Sequence, residues 1–177
     1  MSLTVRSAVE ADLTAVAALY AHEVLTSFAT FEETPPTVEQ FAERFAAVKG
    51  HDLPWLIAEV DGVFAGYAYA TPFRPRAAYR WSVEESIYVA PDFRGQGVGR
   101  ALLTAVIEAS RARGMRHLIA AISGGEPSIS FHAAHGFRLA GTWRQVGYKF
   151  GRWQDVDLMQ LDLLPEGAPP VSEGLRL

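Results

Sequence analysis

Residues 81–111, which read WSVEESIYVAPDFRGQGVGRALLTAVIEASR, decide the fold of this chain. Aromatic and β-branched residues predict a strand from Trp81 to Ala90, and leucine, valine and isoleucine at helical spacing predict a helix from about Gly97 to Arg113. Between the two lie three glycines at alternate positions. The first amides of a helix lack intrahelical acceptors and carry partial positive charge, so this turn predicts a binding site for a phosphate ester.

The spacing of the glycines distinguishes between phosphate-binding motifs. A dinucleotide site needs Gly-x-Gly-x-x-Gly and a Walker loop ends in Gly-Lys-Ser/Thr, and neither pattern is present here. Residues 94–99 instead resemble the acyl-CoA signature of the GNAT N-acetyltransferases, Gln/Arg-x-x-Gly-x-Gly/Ala. The alternative is a glycine-rich turn that only ends a strand. The resemblance implies that acetyl-CoA is bound by Ile87, Tyr88, Val89, Arg94, Gly95, Gln96, Gly97, Val98, Gly99 and Arg100.

Composition limits the possible classes of protein. The 177 residues carry a net charge of −4 with no basic cluster, which disfavours nucleic acid as a partner. The absence of cysteine excludes disulfides, thiol catalysis and cysteine-ligated zinc within this chain. No run of apolar residues approaches the length of a membrane span, and no basic-then-apolar leader begins the sequence. We therefore expect a soluble, cytoplasmic protein that does not bind membranes.

The length predicts one domain, residues 1–164, followed by a tail. The tail, residues 165–177, is rich in proline, glycine and glutamate and is expected to be loosely ordered.

Before the glycine turn, the pattern predicts a strand over Leu3–Arg6 and a helix that begins at Asp12. A loop from Leu25 to Pro36 follows, in which Phe28 and Phe31 are interpreted as core residues in preference to pocket residues. A capping box at Thr37 and Gln40 begins a second helix that ends at Gly50. Asp61-Gly62 then predicts a hairpin between strands 53–60 and 63–71.

After the glycine turn, the unbroken apolar run Leu118–Ile122 predicts a buried strand parallel to strand 81–90, because a crossover helix joins the two. A short helix over Ser128–His135 and two final strands, 137–150 and 153–163, complete the chain. The prediction is an α/β (α+β) protein whose central, mixed, mostly antiparallel sheet of six to seven strands is flanked by four helices. This order resembles the GNAT fold from Val5 to about Leu163.

Within that superfamily the chain is most similar to the phosphinothricin and methionine sulfoximine N-acetyltransferases. The likeness rests on Val83–Val89 (VEESIYV), on Ser128–Phe137 with His132 inside it, and on Gln145–Trp153 (QVGYKFGRW). It implies transfer of an acetyl group from acetyl-CoA to the α-amine of a small amino acid analogue. It also implies a homodimer in which the carboxy-terminal hairpin helps to form the substrate cleft.

The reaction needs a base for the amine and an acid for the leaving thiolate. The resemblance implies that Glu84 is the base, and strand alternation places Glu85 on the opposite face. Relatives often carry histidine or serine at the position of Glu85. We interpret Glu85 as a surface carboxylate. His132 stands where many acetyltransferases have the tyrosine that protonates the thiolate, so we expect it to donate or relay a proton; a structural histidine is the alternative.

Arginines in the loop before strand 81–90 suit the carboxylate or phosphinate of such a substrate. Arg74 and Arg76 enclose Pro75, which limits backbone freedom, so we expect Arg74, Pro75, Arg76 and Glu84 to bind the amine. Acetylation of a protein N-terminus or of another small amine, or a CoA-binding module without activity, are alternatives. A metal site is not expected, because His132 and His135 have no further ligand at a recognisable spacing.

One position departs from the pattern of the family. Many relatives have an asparagine that contacts the CoA arm at the start of the short helix, whereas this chain has Gly124-Gly125-Glu126. No side-chain role is therefore carried over to these residues.

Overall fold

A seven-stranded sheet organises the protein, and the computed structural model describes it over residues 2–177. Met1, the first residue of the predicted domain, lies outside the described residues. The strands are β1 (Leu3–Ser7), β2 (Trp55–Val60), β3 (Val63–Pro72), β4 (Ser82–Val89), β5 (His117–Ile122), β6 (Arg138–Lys149) and β7 (Arg152–Asp162). The helices are α1 (Leu13–Thr26), α2 (Val38–Gly50), α3 (Val98–Ala112) and α4 (Ser128–Ala133).

The strand order is β1-β2-β3-β4-β5-β7-β6, and every neighbouring pair is antiparallel except β4 and β5. The predicted mixed sheet, the four helices and the parallel pair are therefore confirmed. The helix α3 makes the crossover that two neighbouring parallel strands need.

The two faces of the sheet are covered by different helices. The helix α3 buries Val98, Leu102, Leu103 and Val106 and packs against β2, β3 and β4. The opposite face carries an aromatic cluster between the sheet and the helices α1 and α2, in which the rings of Tyr20, Phe41, Trp55, Tyr67, Tyr69 and Tyr88 meet at centroid distances of 4.5 to 6.5 Å. These layers leave the ends of the central strands open for a site.

Local sequence signals produce the expected turns and caps. Asp61 and Gly62 both have positive φ, 50° and 80°, which is the geometry of the predicted two-residue hairpin. The Thr37 hydroxyl accepts from the Gln40 amide, and the Gln40 side chain accepts from the Thr37 amide, so the capping box is present. Asp12 precedes α1, but its carboxylate pairs with Arg6 and makes no capping bond to that helix.

The carboxy-terminal tail contacts the domain. The Trp81 indole donates to the Ser172 carbonyl at 2.9 Å, the Leu175 amide donates to the Arg80 carbonyl at 2.8 Å, and the Leu175 side chain is buried. These tail residues therefore pack against the domain, and the loose order expected for residues 165–177 stays a prediction. Over residues 2–177, no helix is long and apolar enough to cross a membrane.

Candidate active site

The site begins where β4 and β5 stop pairing. Their parallel register runs only from Ser82, opposite His117, to Glu85, opposite Ala120. The remaining residues of both strands line a cavity of about 840 Å³, which the glycine turn and α4 also border. A gap between two neighbouring strands exposes backbone polar groups that need a partner, so it suits an extended ligand with amide groups.

The glycine turn has the backbone that the sequence predicts for anion binding. Gly95 and Gly97 have φ of 75° and 87°, and Gly97 is the N-cap residue of α3. A Cβ added at either position would meet no atom within 4 Å. Glycine is therefore favoured there by the left-handed backbone conformation, and not by a lack of space for a side chain. Gly99 lies in the first helical turn, where the amides precede the first intrahelical bond, from Ala101 to Gly97.

Most of the residues expected to bind acetyl-CoA line this cavity. Those that do are Ile87, Tyr88, Val89, Arg94, Gly95, Gly97, Gly99 and Arg100. Two do not line it: Val98 is buried in the core, and the Gln96 side chain donates from Nε2 to the Asp92 carbonyl oxygen at 2.7 Å. Arg94 is bound to Glu23 of α1 at 2.5 Å, which ties the turn to that helix.

Glu84 lies on the face of β4 that carries the aromatic cluster. It is half-buried, opposite Thr71 of β3, and its side chain does not line the cavity. Burial raises the pKa of its carboxyl, the charge of Arg74 acts in the opposite direction, and that of Glu85 adds to the rise. A carboxylate with a raised pKa is a better proton acceptor than an ordinary surface glutamate.

The loop arginines have different environments. The Arg74 guanidinium lies over the Phe73 ring, 4.2 Å from its centroid, and 5.9 Å from the centroid of Trp143 on β6. Arg76 and Pro75 are exposed, and Arg76 only begins the short turn Ala77–Tyr79. Of the two arginines, Arg74 is the one whose charge acts on Glu84.

Glu85 and His132 form a buried pair between β4 and α4. His132 Nε2 lies 2.8 Å from Glu85 Oε1, and its Nδ1 lies 2.8 Å from the Ser128 carbonyl oxygen. The two residues are 6% and 2% exposed, and both line the cavity. The interpretation of Glu85 as a surface carboxylate is wrong, because its side chain points into the protein at the last β4 residue that pairs with β5.

The loop between α1 and α2 forms another wall of the cavity. Ser27, Phe28 and Ala29 line it, so the interpretation of Phe28 as a core residue is wrong. Phe31 is exposed at 37%, and its ring occupies the space that a Cβ on Gly147 of β6 would take. The loop is therefore part of the site.

The tip of the β6–β7 hairpin holds this loop. Lys149 is 2% exposed and donates to the carbonyl oxygens of Ser27 at 2.9 Å and of Thr30 at 2.8 Å. The Phe28 ring packs edge-on against Phe150 at 5.3 Å, and the Arg152 guanidinium lies 4.4 Å from the Phe28 centroid. Two segments more than a hundred residues apart thus share one set of contacts.

The sequence did not predict the contacts of Glu23 with Arg94, of Lys149 with the loop between α1 and α2, or of Trp143 with Arg74. A signal existed for Lys149, because it follows Gly147 at strand spacing on one face while Val146 and Tyr148 occupy the other. No local pattern pointed to the loop contacts of this lysine, since they depend on how the hairpin folds back. Gly124 and Gly125 line the cavity with backbone alone.

A sheet with one diverging parallel pair above a glycine turn, next to a carboxylate and a histidine, defines an acyl-CoA-dependent acyltransferase of the GNAT type. Comparison with known proteins agrees: the family model described as the Acetyltransferase (GNAT) domain matches residues 5–158. The chain belongs to this family and is an N-acetyltransferase.

The names of similar proteins describe narrower activities than the family does. The chain is 50% identical over 162 residues to a phosphinothricin N-acetyltransferase of Alcaligenes faecalis, covering 90% of this chain and 82% of that protein. It is 41% identical to an L-methionine sulfoximine/L-methionine sulfone acetyltransferase of Pseudomonas paraeruginosa, covering 96% of this chain and all of the relative. A GNAT phosphinothricin acetyltransferase from Sinorhizobium meliloti, solved with acetyl-CoA, superposes with a TM-score of 0.93 at 42% identity and covers 98% and 96% of the two chains.

Proposed function

We propose that this protein transfers the acetyl group of acetyl-CoA to the α-amine of a small amino acid analogue, with Glu84 as the general base. Methionine sulfoximine, methionine sulfone and phosphinothricin are the substrates to which the names of its relatives point. The observation that carries the proposal is the course of β4: Glu84 lies near the start of this strand, Ser86–Val89 line the cavity, and the phosphate-binding turn follows its end.

The residues present fit acetyl-CoA. The amides at the start of α3 and the left-handed Gly95 and Gly97 suit the pyrophosphate, and Arg100 adds a positive charge beside them. The gap between β4 and β5 suits the pantetheine arm, because unpaired strand amides accept an amide-containing chain. When bound, acetyl-CoA supplies the activated acetyl group.

Glu84 and Arg74 offer opposite charges to a zwitterion. The guanidinium of Arg74 can pair with the carboxylate of an amino acid while Glu84 faces its ammonium group, which would turn the amine towards the acetyl carbon. The ammonium group gives up one proton to solvent before the attack, because only the neutral amine has a lone pair, and Glu84 takes the second proton that the nitrogen loses as it forms the new bond to carbon. The carbon–sulfur bond breaks with its electron pair on sulfur, and His132 is the proposed source of the proton that the thiolate takes up.

The exposed face of the β6–β7 hairpin supports a homodimer. Tyr148 and Trp153 are 56% and 59% exposed and their ring centroids lie 5.1 Å apart, and Val146 of the same strand as Tyr148 is also exposed. Aromatic surface of this kind is enriched at interfaces between proteins. The cytoplasmic location and the independence from metal that the sequence suggests stay predictions.

The test is acetylation of a panel of amines with purified protein, followed through the free thiol of CoA. We expect turnover of at least one of methionine sulfoximine, methionine sulfone and phosphinothricin, and of none of several unrelated peptides with free N-termini. Turnover of the peptides with none of the three small compounds would contradict the substrate class and leave only the acetyltransferase assignment.

A further inference from the structure

The carboxylate of Glu85 has no role in the function just described, although it lines the same cavity as His132. Its Oε2 is buried without a hydrogen-bond partner among residues 2–177, while Oε1 contacts His132 Nε2. A buried carboxylate with one unpaired oxygen is costly unless a cation compensates it. Of the ion pairs formed by the described residues, Glu85 takes part only in the one with His132.

The hydrogen bonds of His132 determine how many protons the pair holds. Nδ1 faces the Ser128 carbonyl oxygen at 2.8 Å, and a carbonyl can only accept, so Nδ1 carries a proton. The contact of 2.8 Å between Nε2 and Glu85 Oε1 then needs one further proton, because two lone pairs would repel each other. The neighbouring carboxylate therefore favours a His132 ring with protons on both nitrogens.

We propose that Glu85 is a positioning residue for His132, which fixes the ring through Nε2 and keeps it doubly protonated beside the acyl-transfer site. The inference rests on the proposed function, in which His132 supplies the proton of the leaving thiolate. The sulfur keeps the electron pair of the broken carbon–sulfur bond, the Nε2 proton leaves its hydrogen bond with Glu85 Oε1 and is transferred to that sulfur, and His132 becomes neutral. Nε2 and Glu85 Oε1 then repel each other, which favours the return of a proton from water.

Opposing effects act on the titration of His132. Burial lowers the pKa of the ring, whereas the hydrogen bond and the charge of Glu85, with a smaller contribution from Ser128, raise it, and the net change is a rise. Removing the carboxylate leaves burial dominant, so the pKa of His132 falls and the neutral ring forms at lower pH.

The other charged and titratable groups near the pair do not replace Glu85. Arg94 is bound to Glu23, and Nδ1 of His135 contacts the Phe131 carbonyl oxygen at 2.7 Å. The residues of β5 that line the cavity, Ala121 and Ile122, carry no charge. The titratable groups that line the cavity with the pair are Glu23 of α1, Tyr88 of β4, Arg94 of the turn, Arg100 of α3 and His135 of α4, whereas Glu84 lies on the other face of β4 and interacts with Glu85 through its charge.

The test combines NMR titration of the histidines with the pH dependence of kcat for two variants. Glu85→Gln keeps the size of the side chain and offers Nε2 a hydrogen-bond donor in place of the carboxylate, and Glu85→Asp is the conservative variant. In nitrogen-detected spectra, the ring signals of His132 are assigned as those that disappear in the His132→Asn variant. We expect His132 of the unaltered protein to stay doubly protonated at neutral pH, and Glu85→Gln to lower its titration midpoint by about one pH unit or more. Glu85→Asp is expected to recover part of the shift.

The kcat profiles provide the functional readout. We expect Glu85→Gln to approach the turnover of the unaltered enzyme near about pH 6 and to lose roughly tenfold or more near about pH 8.5, with the KM for acetyl-CoA unchanged. A uniform loss at all pH values, or an unchanged His132 midpoint, would overturn the inference. The NMR result needs no substrate, so it remains decisive even if the substrate panel fails.

Discussion

Lys149 Nζ donates a hydrogen bond of 2.8 Å to the carbonyl oxygen of Thr30, across 119 residues of sequence. The same ammonium group holds the Ser27 carbonyl, so one buried side chain joins the β6–β7 hairpin to the loop that walls the cavity. The geometry of the active site therefore depends on a contact far from the glycine turn.

The first prediction concerns this lysine. Lys149→Met retains an apolar chain of similar length but leaves two carbonyl groups without their donor, at a cost of about 1–3 kcal/mol for such buried groups. We expect a melting temperature several degrees lower and a higher KM for the amine. Lys49→Met, at the exposed end of α2, is the matched control in thermal melts and kinetics. Equal behaviour of the two variants would contradict the role of Lys149.

The glycine turn provides the second prediction. Gly97→Val places a β-branched residue at a φ of 87°, which strains the N-cap of α3 and moves the amides that would hold the pyrophosphate. We expect acetyl-CoA binding to weaken by roughly tenfold or more in calorimetry, a loss of about 1.4 kcal/mol or more. Gly50→Val, at an open position where φ is not left-handed, controls for general destabilisation. Unchanged affinity in a folded Gly97→Val protein would remove the basis of the cofactor site.

Glu84 is tested by an isosteric change. Glu84→Gln abolishes proton acceptance, so turnover should fall by roughly a hundredfold, the usual contribution of a positioned base. Because burial raises the pKa of this carboxyl, the acidic limb of the kcat profile should lie above the usual range of a glutamate and should be lost in the variant. Near-normal turnover would transfer the role of base to another group.

The two loop arginines form a matched pair for substrate binding. Arg74→Lys removes the planar guanidinium that lies near Trp143 and acts on the pKa of Glu84, so we expect the KM for the amine to rise by roughly tenfold with the KM for acetyl-CoA unchanged. Arg76→Lys changes an exposed residue and should leave both constants unaltered. A larger effect at Arg76 would mean that the loop closes differently around the substrate.

The oligomeric state is measured by sedimentation at micromolar concentration. We expect a dimer, and we expect Trp153→Arg to shift it towards monomer because a charge would then lie within the aromatic surface of the hairpin. Val63→Arg, on the β2–β3 hairpin, is the control at a similarly exposed position. A monomeric unaltered protein would contradict the dimer.

Features that depend on neighbours in sequence were predictable. The hairpin at Asp61-Gly62, the capping box at Thr37 and the left-handed glycines before α3 all follow from the conformational limits of a few consecutive residues. The parallel pairing of β4 and β5 followed as well, because a helix between two buried strands permits few other arrangements. The fold and the position of the glycine turn were therefore available from the sequence alone, and the binding of acetyl-CoA by this turn stays a prediction.

Features that join distant segments needed the tertiary structure. Alternation along β4 separated Glu84 from Glu85, but only the packing of α4 showed that Glu85 meets His132, 47 residues away, inside the protein. The same holds for Lys149 and the loop at Thr30, and for Phe28, whose side chain lines the cavity instead of the core. A residue's periodicity determines which face it occupies, whereas the identity of the group that it meets there is decided by how the elements pack.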